Sequence, residues 1–353
     1  MNARRKKRGC AGRYVISFLI VILISAAFFA RHFYKVIYQP NVVISGKKSA
    51  FFYIPTGSDA HDVANLLYEG NYILNRNSFE WLMQKKNYFN HVHPGRYKLK
   101  NGMSNNELIN MLRSGQQLPL RITLHNFRFK EALAGKVGAL LEADSASIIA
   151  LLTDAAFAGR YGFNTESIMT MFIPDTYEFL WNTSAEEFLQ RIAEEYKKFW
   201  TEKRLRQARA LGLQQSEVSI LAGIVQKETA HADEMPVVAG VYLNRLKKGM
   251  LLQADPTVVF AVGDFSIRRV LNVHKEVDSP YNTYKYSGLP PGPICMATKT
   301  AIDAVLNAGK HHYLYFCAKE DFSGYHNFAK TYAQHRINAR KYQAALNKRR
   351  IYR

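Results

Sequence analysis

Cysteine is scarce in this sequence: 353 residues hold three, Cys10, Cys295 and Cys317. So sparse and odd a set is not the framework of a disulfide-stapled secreted domain, and no paired C-x-x-C spacing offers a zinc site. Cys295 and Cys317 could pair in an oxidising compartment, but two buried free thiols are the expected state. The patterns H-E-x-x-H, G-x-S-x-G and the P-loop are missing as well, which removes the zincins, the α/β-hydrolases and the P-loop nucleotide enzymes. His91 and His93, and His311 with His312, stand close in sequence. With no acid or cysteine at metal-site spacing they read as surface or packing residues, and neither a metal nor a cofactor is expected.

Acidic residues are also in short supply: 28 Asp and Glu face 48 Lys and Arg, for a formal net charge of +20. Part of the excess lies in the tails, at Arg4, Arg5, Lys6, Lys7 and Arg8 and at Lys348, Arg349, Arg350 and Arg353. Basic tails can contact nucleic acid or anionic lipid. No zinc-finger spacing or RRM-type motif accompanies them, so no nucleic acid is expected; an anionic membrane surface or an acidic polymer fits better. Apolar residues make up 48% of the chain, enough for packed cores. There is no internal repeat and no low-complexity tract beyond the tails.

Long hydrophobic runs are absent but for one. Tyr14 to Ala30 reads YVISFLIVILISAAFFA without a charge, near the short end for a bilayer span. His32, Phe33 and Tyr34 extend it towards the interface, so the anchor is placed at 14–34. The basic cluster precedes it, which puts residues 1–13 on the cytoplasmic side and the bulk of the chain outside. The rival is a cleaved signal peptide, but the small residues Ser25, Ala26 and Ala27 are followed by further apolar residues and no clear cleavage site. Cys10 precedes the run, so it is not placed as a lipoprotein acceptor.

Residues 35–49 read as a tether. From 50 to 117 a small α/β pattern follows: FFYIP as a strand, Asp59 to Glu69 at helical spacing ending at Gly70, Ser78 capping FEWLMQKK, then a short strand and a last helix with Gly115 past its end. Such strand–helix units resemble LysM-like carbohydrate-binding modules. Residues 118–213 read as mainly helical, with the charges of AEEFLQRIAEEYKKFW as solvated faces. MFIPDTYEF interrupts them at 171–179, where Pro174 and Asp175 suggest a turn or helix start. From 214 to 345 strands such as HYLYFCA mix with helices, an α+β pattern, and 346–353 is a basic tail.

Chemistry concentrates in SEVSILAGIVQKETAH. With Ser216 as N-cap, Leu221, Ile224, Val225 and Glu228 fall on one stripe of the helix. A carboxylate at the edge of an apolar face is partly desolvated and its pKa should rise, as a general acid near neutral pH requires. The plain alternative is a helix-end Glu bonded to nearby backbone or to an arginine.

The longer segment GIVQKETAHADEMPVVAGVYLNRLKKGMLLQADPTVVFAVG, with SPYNTYKYSGLPPGPI downstream and FIPDTYEF upstream, resembles the endolytic murein transglycosylase (YceG-like) family. Three long motifs in the correct order span residues 172–335, and the LysM-like region sits where the family carries one. Gln226 departs from the pattern, where relatives usually have an acid. The implied architecture is α+β: a single transmembrane helix, a LysM-like α/β subdomain, a helical connecting region and a YceG-like catalytic domain.

The resemblance implies that Glu228 is the catalytic residue of a lyase that cuts nascent peptidoglycan glycan strands between N-acetylmuramic acid and N-acetylglucosamine, leaving 1,6-anhydro ends. Partners would be the glycan strands, the inner membrane and peptidoglycan synthases, with the enzyme outside the cytoplasm. Gln253 has no local structural role and is expected to bind sugar amides or hydroxyls. Asp255 before Pro256 is either a helix cap, with Gly263 ending the helix, or part of the site. Asn244 and Arg245 either orient Glu228 or bond a loop. Tyr281, Asn282, Thr283 and Tyr284 offer rings and donors suited to sugars, LPPGPI shapes a wall, and Asp175 and Tyr177 are weaker cleft candidates. Two other readings remain at this point: a non-catalytic wall-binding scaffold for synthases, and a hydrolase of another polymer, since further acids lie near the motif and glycosidases flank their bond with two carboxylates.

Overall fold

The apolar run becomes the start of a long helix, α1 (Arg8–Tyr38). The computed structural model describes residues 8–349; the basic residues at 4–7, 350 and 353 lie outside them. Gly12–Tyr38 is long and apolar enough to cross a membrane, with a mean hydropathy of 2.2, and its apolar side chains are exposed along the helix. In water that exposure would be prohibitive, so a lipid environment is its physical explanation. The helix does not end at the expected anchor boundary. It continues to Tyr38, stacks Phe33 on Trp81 (ring centroids 5.5 Å apart) and accepts a bond from Asn105 at the Val36 carbonyl. The stretch read as a tether is therefore helix followed by a buried crossing in which Asn41 and Val42 are inside.

The chain forms two compact units. The first comprises residues up to Leu120 together with Leu180–Asn182. After α1 come β1 (Ser49–Ile54), α2 (Ala60–Glu69), α3 (Arg76–Lys85), β2 (Gly95–Lys100) and α4 (Asn105–Arg113). β1 and β2 pair antiparallel, Ser49 opposite Lys100 and Ile54 opposite Gly95. Strand alternation turns Phe52 and Ile54 inward beside Tyr97 and Leu99. These meet Val63, Leu67, Phe79 and Leu108 from the helices in one core. Asp59 caps α2 and Ser104 caps α4, each with a reciprocal acid at N3. Asn75, not Ser78, caps α3: its side chain accepts from Ser78 N–H at 2.9 Å, because the chain enters the helix one turn before the apolar stripe begins.

The second unit holds Arg121–Phe179 and the chain from Thr183 on, so the helical stretch expected at 118–213 and the core expected at 214–345 share it. It begins with β3 (Leu120–Leu124) at the boundary, α5 (Lys130–Gly138), α6 (Ser145–Thr153), α7 (Ala155–Arg160) and β4 (Asp175–Phe179). Next are α8 (Ala185–Phe199), α9 (Glu202–Leu211), α10 (Gln215–Glu228), α11 (Met235–Lys247), α12 (Asp255–Val262) and α13 (Asn272–Lys275). The unit closes with α14 (Lys299–Leu306), β5 (Tyr315–Ala318), β6 (His326–Ala329) and α15 (Tyr332–Lys348).

The expected turn or helix start at Asp175 is instead strand β4, paired with β3. Thr176 and Thr123 join hydroxyls across it at 2.9 Å, a pairing between distant segments that local residue type does not reveal. β5 and β6 form a hairpin, Tyr315 opposite Ala329 and Ala318 opposite His326. α8 buries Phe188, Leu189, Ile192 and Tyr196, while Arg191, Glu195 and Lys198 pair on its outer side. α10, buried from Val218 to Val225, is the central helix and packs on α14 and α11. Cys295 is a buried free thiol and Cys317 a half-buried one.

Candidate active site

α10 begins slightly earlier in the chain than Ser216 suggests. Gln214 is the N-cap residue, and its N–H is bonded by the Glu217 carboxylate at 2.7 Å, which leaves Ser216 inside the first turn. Gly223 sits where the helix crosses the segment leading to α14; a Cβ there would lie 3.2 Å from the Cys295 carbonyl. Near the helix end, Gln226 donates to the Met296 carbonyl (2.9 Å) and accepts from Thr298 N–H (2.9 Å). An amide can both donate and accept where a carboxylate could only accept. This departure from the family pattern therefore has a structural role, because both bonds lock the last turn of α10 in place.

That last turn ends in Glu228, half-buried at the C-terminal end of the helix. Its Oε1 accepts a 2.6 Å bond from the Tyr242 hydroxyl. Burial pushes the Glu228 pKa up to about 7; the Tyr242 bond pulls it down, the Asp255 charge raises it and Arg245 opposes that rise. Desolvation therefore dominates, and Glu228 holds or releases a proton near neutral pH.

Asp255 is the first residue of α12, not its cap; Ala254 precedes it, and Gly263 at φ +78 ends the helix. The start of α12 is tied to a later segment of the chain. Thr283 accepts from Ala254 N–H (3.0 Å) and shares a bond with Thr257 (2.8 Å). The Asp255 carboxylate is then available to accept a 2.6 Å bond from the Tyr284 hydroxyl. Gln253, exposed beside them, has the left-handed backbone angle φ +49, held by its N–H on the Thr283 carbonyl (3.0 Å). A non-glycine residue in that region is strained, and such strain concentrates at functional sites. Replacing Gln253 by Gly should relieve it and hold or raise thermal stability, which calorimetry checks.

The remaining candidates divide. Asn244 donates to the carbonyls of His311 (2.8 Å) and Tyr313 (3.0 Å), so of the two roles considered for it, it performs the bonding of a loop. Arg245, 8% exposed, donates to the Leu314 carbonyl (2.6 Å) and the Leu252 carbonyl (2.8 Å); it ties β5 to the chain before α12 and also faces the cleft. Arg245→Met should leave these acceptors unpaired and cost roughly 2–4 kcal/mol of stability, read by denaturant unfolding.

Asn282 is fully buried and donates to Lys275 and Val277 carbonyls, both at 2.8 Å. Thr283 is buried too, and the side chains of both are engaged in bonds inside the protein. Tyr281 lies against Phe260 (4.7 Å between centroids) and bonds Glu166 at 3.2 Å. Asp175 pairs with Lys299 and Tyr177 donates to the Ile173 carbonyl at 2.6 Å; neither lines the space around Glu228.

That space is a cleft with two lobes that meet at Glu228 and Asp255. One lobe of about 340 Å³ is lined by Arg128, Phe260, Phe265 and Arg268. The other, of about 270 Å³, is lined by Tyr242, Arg245, Gln253, Tyr284, Phe316 and His335. Aromatic rings and cations thus stand on both sides of one proton-carrying carboxylate. Tyr242, Phe316 and His335, and on the other side Arg128 and Phe265, did not emerge from the sequence. Tyr242 alone left a signal, two residues before Asn244 in the motif VYLNRL.

A family model described as the YceG-like family matches residues 52–341. The endolytic murein transglycosylase of Bacillus subtilis (strain 168) is 28% identical over 312 residues, covering 84% of this chain and 85% of that protein. The endolytic murein transglycosylase of Streptococcus pneumoniae serotype 2 is 26% identical over 340 residues, or 86% of this chain. This chain spans 61% of the length of that pneumococcal relative. A 2.6 Å crystal structure of a yceG-like protein from Listeria monocytogenes aligns with a TM-score of 0.55 at 25% identity, covering 83% of this chain and 99% of that one.

Proposed function

The chain belongs to the YceG-like family, and from that membership and the cleft around Glu228 we propose that it is an endolytic murein transglycosylase. The observation that carries the reading is Glu228 itself: a carboxylic acid with its pKa raised to about 7, at the junction of two lobes. A strand laid through both lobes places an internal bond, not an end, against the acid.

The reaction needs one carboxyl group used twice. Protonated Glu228 gives its proton to the glycosidic oxygen as the bond from the muramyl C1 breaks. The carboxylate then takes the proton of the C6 hydroxyl as that oxygen bonds C1, which closes the 1,6-anhydro ring and restores the acid. Water is not consumed. A pKa near the working pH suits a group that must act as acid and base in turn. Tyr242 holds the carboxylate in place and favours its ionised form. Asp255, bonded to Tyr284, keeps a negative charge near the positive charge that develops at C1. Gln253 and Tyr284 contact the sugar hydroxyls and amides, while Arg245 and Asn244 hold the wall behind them.

α1 retains the enzyme on the inner membrane. Its last turns pack on α3 and α4 and so belong to the folded unit, which supports a retained anchor. Basic residues before the helix set the catalytic unit on the periplasmic side, where nascent strands and their synthases are found. Residues 50–117 act as a LysM-like module; the order β1, α2, α3, β2 with an antiparallel strand pair supports it.

The endolytic part of the reading is tested by the size distribution of purified un-crosslinked strands during digestion. Mid-length fragments appearing first support it. Release of disaccharides from strands of unchanged length would mean an end-acting enzyme, and intact strands that still bind would mean a scaffold.

A further inference from the structure

The two lobes of the cleft differ in charge. The lobe of about 340 Å³ is lined by three cations: Arg128 from the segment after β3, Lys227 from the last turn of α10 and Arg268 from the segment between α12 and α13. None of the three is paired with an acid among the described residues, although Arg204 and Lys299 in the same unit each have a carboxylate partner. All three are exposed. Two are held in place by uncharged neighbours. The Arg128 guanidinium lies 4.3 Å from the centroid of the Phe265 ring. That ring leans on Phe129 (5.7 Å), which stacks on Phe260 (5.6 Å). Stacking occupies the flat face of the guanidinium and leaves the N–H groups along its edge for an acceptor. With the Asn126 amide turned so that both its ends are bonded, its oxygen accepts from the Lys227 ammonium at 3.0 Å. The other lobe is different. Its arginine, Arg245, is spent on the carbonyls of Leu314 and Leu252. Burial holds the His335 imidazole below its ordinary range, so that ring is neutral at neutral pH.

We propose that the cation-lined lobe binds a carboxylate carried by the muramyl sugar, through Arg128 and Arg268 with Lys227 beside them, and so fixes which way round the strand lies in the cleft. The proposal rests on the transglycosylase reading and names the substrate group that this lobe selects. Two sugars flank the bond that is cut, and only N-acetylmuramic acid bears a lactyl group. That group ends in a carboxylate in peptide-free strands and in a peptide with its own carboxylates in intact ones. The edge of an arginine meets a carboxylate with two parallel N–H bonds, and unpaired cations around one pocket draw an anion to it. The muramyl unit then occupies this lobe with its C1 at Glu228. The leaving N-acetylglucosamine occupies the lobe of Gln253 and Tyr284, whose hydroxyl and amide groups suit an uncharged sugar. A strand laid the other way would set the uncharged sugar against three unpaired cations and the carboxylate against an arginine already bonded to carbonyls.

The test measures binding by titration calorimetry, with the full chain in detergent micelles carrying Glu228→Gln to prevent turnover. The probes are soluble un-crosslinked strands that bear their peptides and the same strands freed of peptides by an amidase. Each is used as prepared and with its carboxylates converted to neutral amides. Amidation should weaken binding about fivefold, as expected for partly exposed charge pairs. A loss in the peptide-bearing strands assigns the ligand to the peptide carboxylates, and a loss confined to the peptide-free strands assigns it to the lactyl group. Unchanged affinity in both overturns the proposal. The penalty should vanish in Arg128→Gln/Arg268→Gln. It should remain in Lys203→Gln/Arg206→Gln, which removes two exposed cations of α9. A penalty that persists in the first variant, or is lost in both, overturns the proposal in favour of the general positive charge of the chain. Product analysis of the active chain is run in parallel. Anhydro products without any penalty remove the carboxylate site alone. A penalty that depends on Arg128 and Arg268 without cleavage removes the transglycosylase reading and leaves the lobe as a carboxylate site.

Discussion

Replacing Glu228 by Gln is expected to lower cleavage of glycan strands by at least about 10²–10⁴-fold, the contribution of a positioned acid or base. In the proposed mechanism both half-reactions use this carboxyl group; the neighbouring Asp255 accepts from Tyr284, and Asp175 is committed to Lys299. The amide keeps the size and the bond to Tyr242, so binding should survive. Stability should move the other way. The folded-state pKa of Glu228 is raised from the ordinary 4.5 to about 7, so the native state holds the proton more tightly than the unfolded chain does. Stability associated with the neutral form is then complete below about 4.5 and is lost as pH rises through about 7. Gln carries no such charge, so the variant should be more thermostable than the parent at pH 8 by roughly 1–3 kcal/mol and equal to it at about pH 4. A variant that is inactive and also less stable at about pH 8 would show that the loss comes from disruption of the fold.

The second large effect concerns Tyr242. In the proposed mechanism cleavage begins from protonated Glu228, so kcat/KM should fall as pH rises through about 7. The Tyr242 hydroxyl bonds the carboxylate at 2.6 Å and favours its ionised form. Tyr242→Phe therefore raises the Glu228 pKa, and the alkaline limb of the pH profile should move upward. A hydrogen bond to a charged group contributes about 1.5–3 kcal/mol, which corresponds to roughly one to two pH units. The plateau below the limb should also drop, because the carboxylate loses the contact that orients it. An unmoved limb with the same plateau would mean that Glu228 is not the group titrating in the profile.

The position of Glu228 was legible because it depends on periodicity. Leu221, Ile224, Val225 and Glu228 share a stripe whatever the rest of the chain does, and burial of that stripe carries the acid into a desolvated place. The helices of the first unit were similarly readable, from the helical spacing of Asp59 to Glu69 before Gly70 and from Gly115 past the last helix, because such spacing and turns are local chemistry. The unreadable features are those in which one segment completes another. Thr283 bonds the Ala254 N–H and the Thr257 hydroxyl beside the start of α12, while Asp255 accepts from Tyr284. Asn282, which looked like a sugar ligand, is consumed by the carbonyls of Lys275 and Val277. β4 is a strand because β3 lies beside it. Tyr242 reaches Glu228 only because α10 and α11 pack together, and the two residues are 14 apart in sequence. α1 outlasts its apolar run because α3 and α4 cover its end.

The central claim is that Glu228 closes an anhydro ring without water. Mass spectrometry of strand fragments made in oxygen-18 water tests it most directly, with Glu228→Gln alongside. The expected products are internal fragments ending in 1,6-anhydro-muramic acid, free of the heavy oxygen and absent from the variant digest. Reducing ends that carry oxygen-18 would contradict the claim and make the protein a hydrolase.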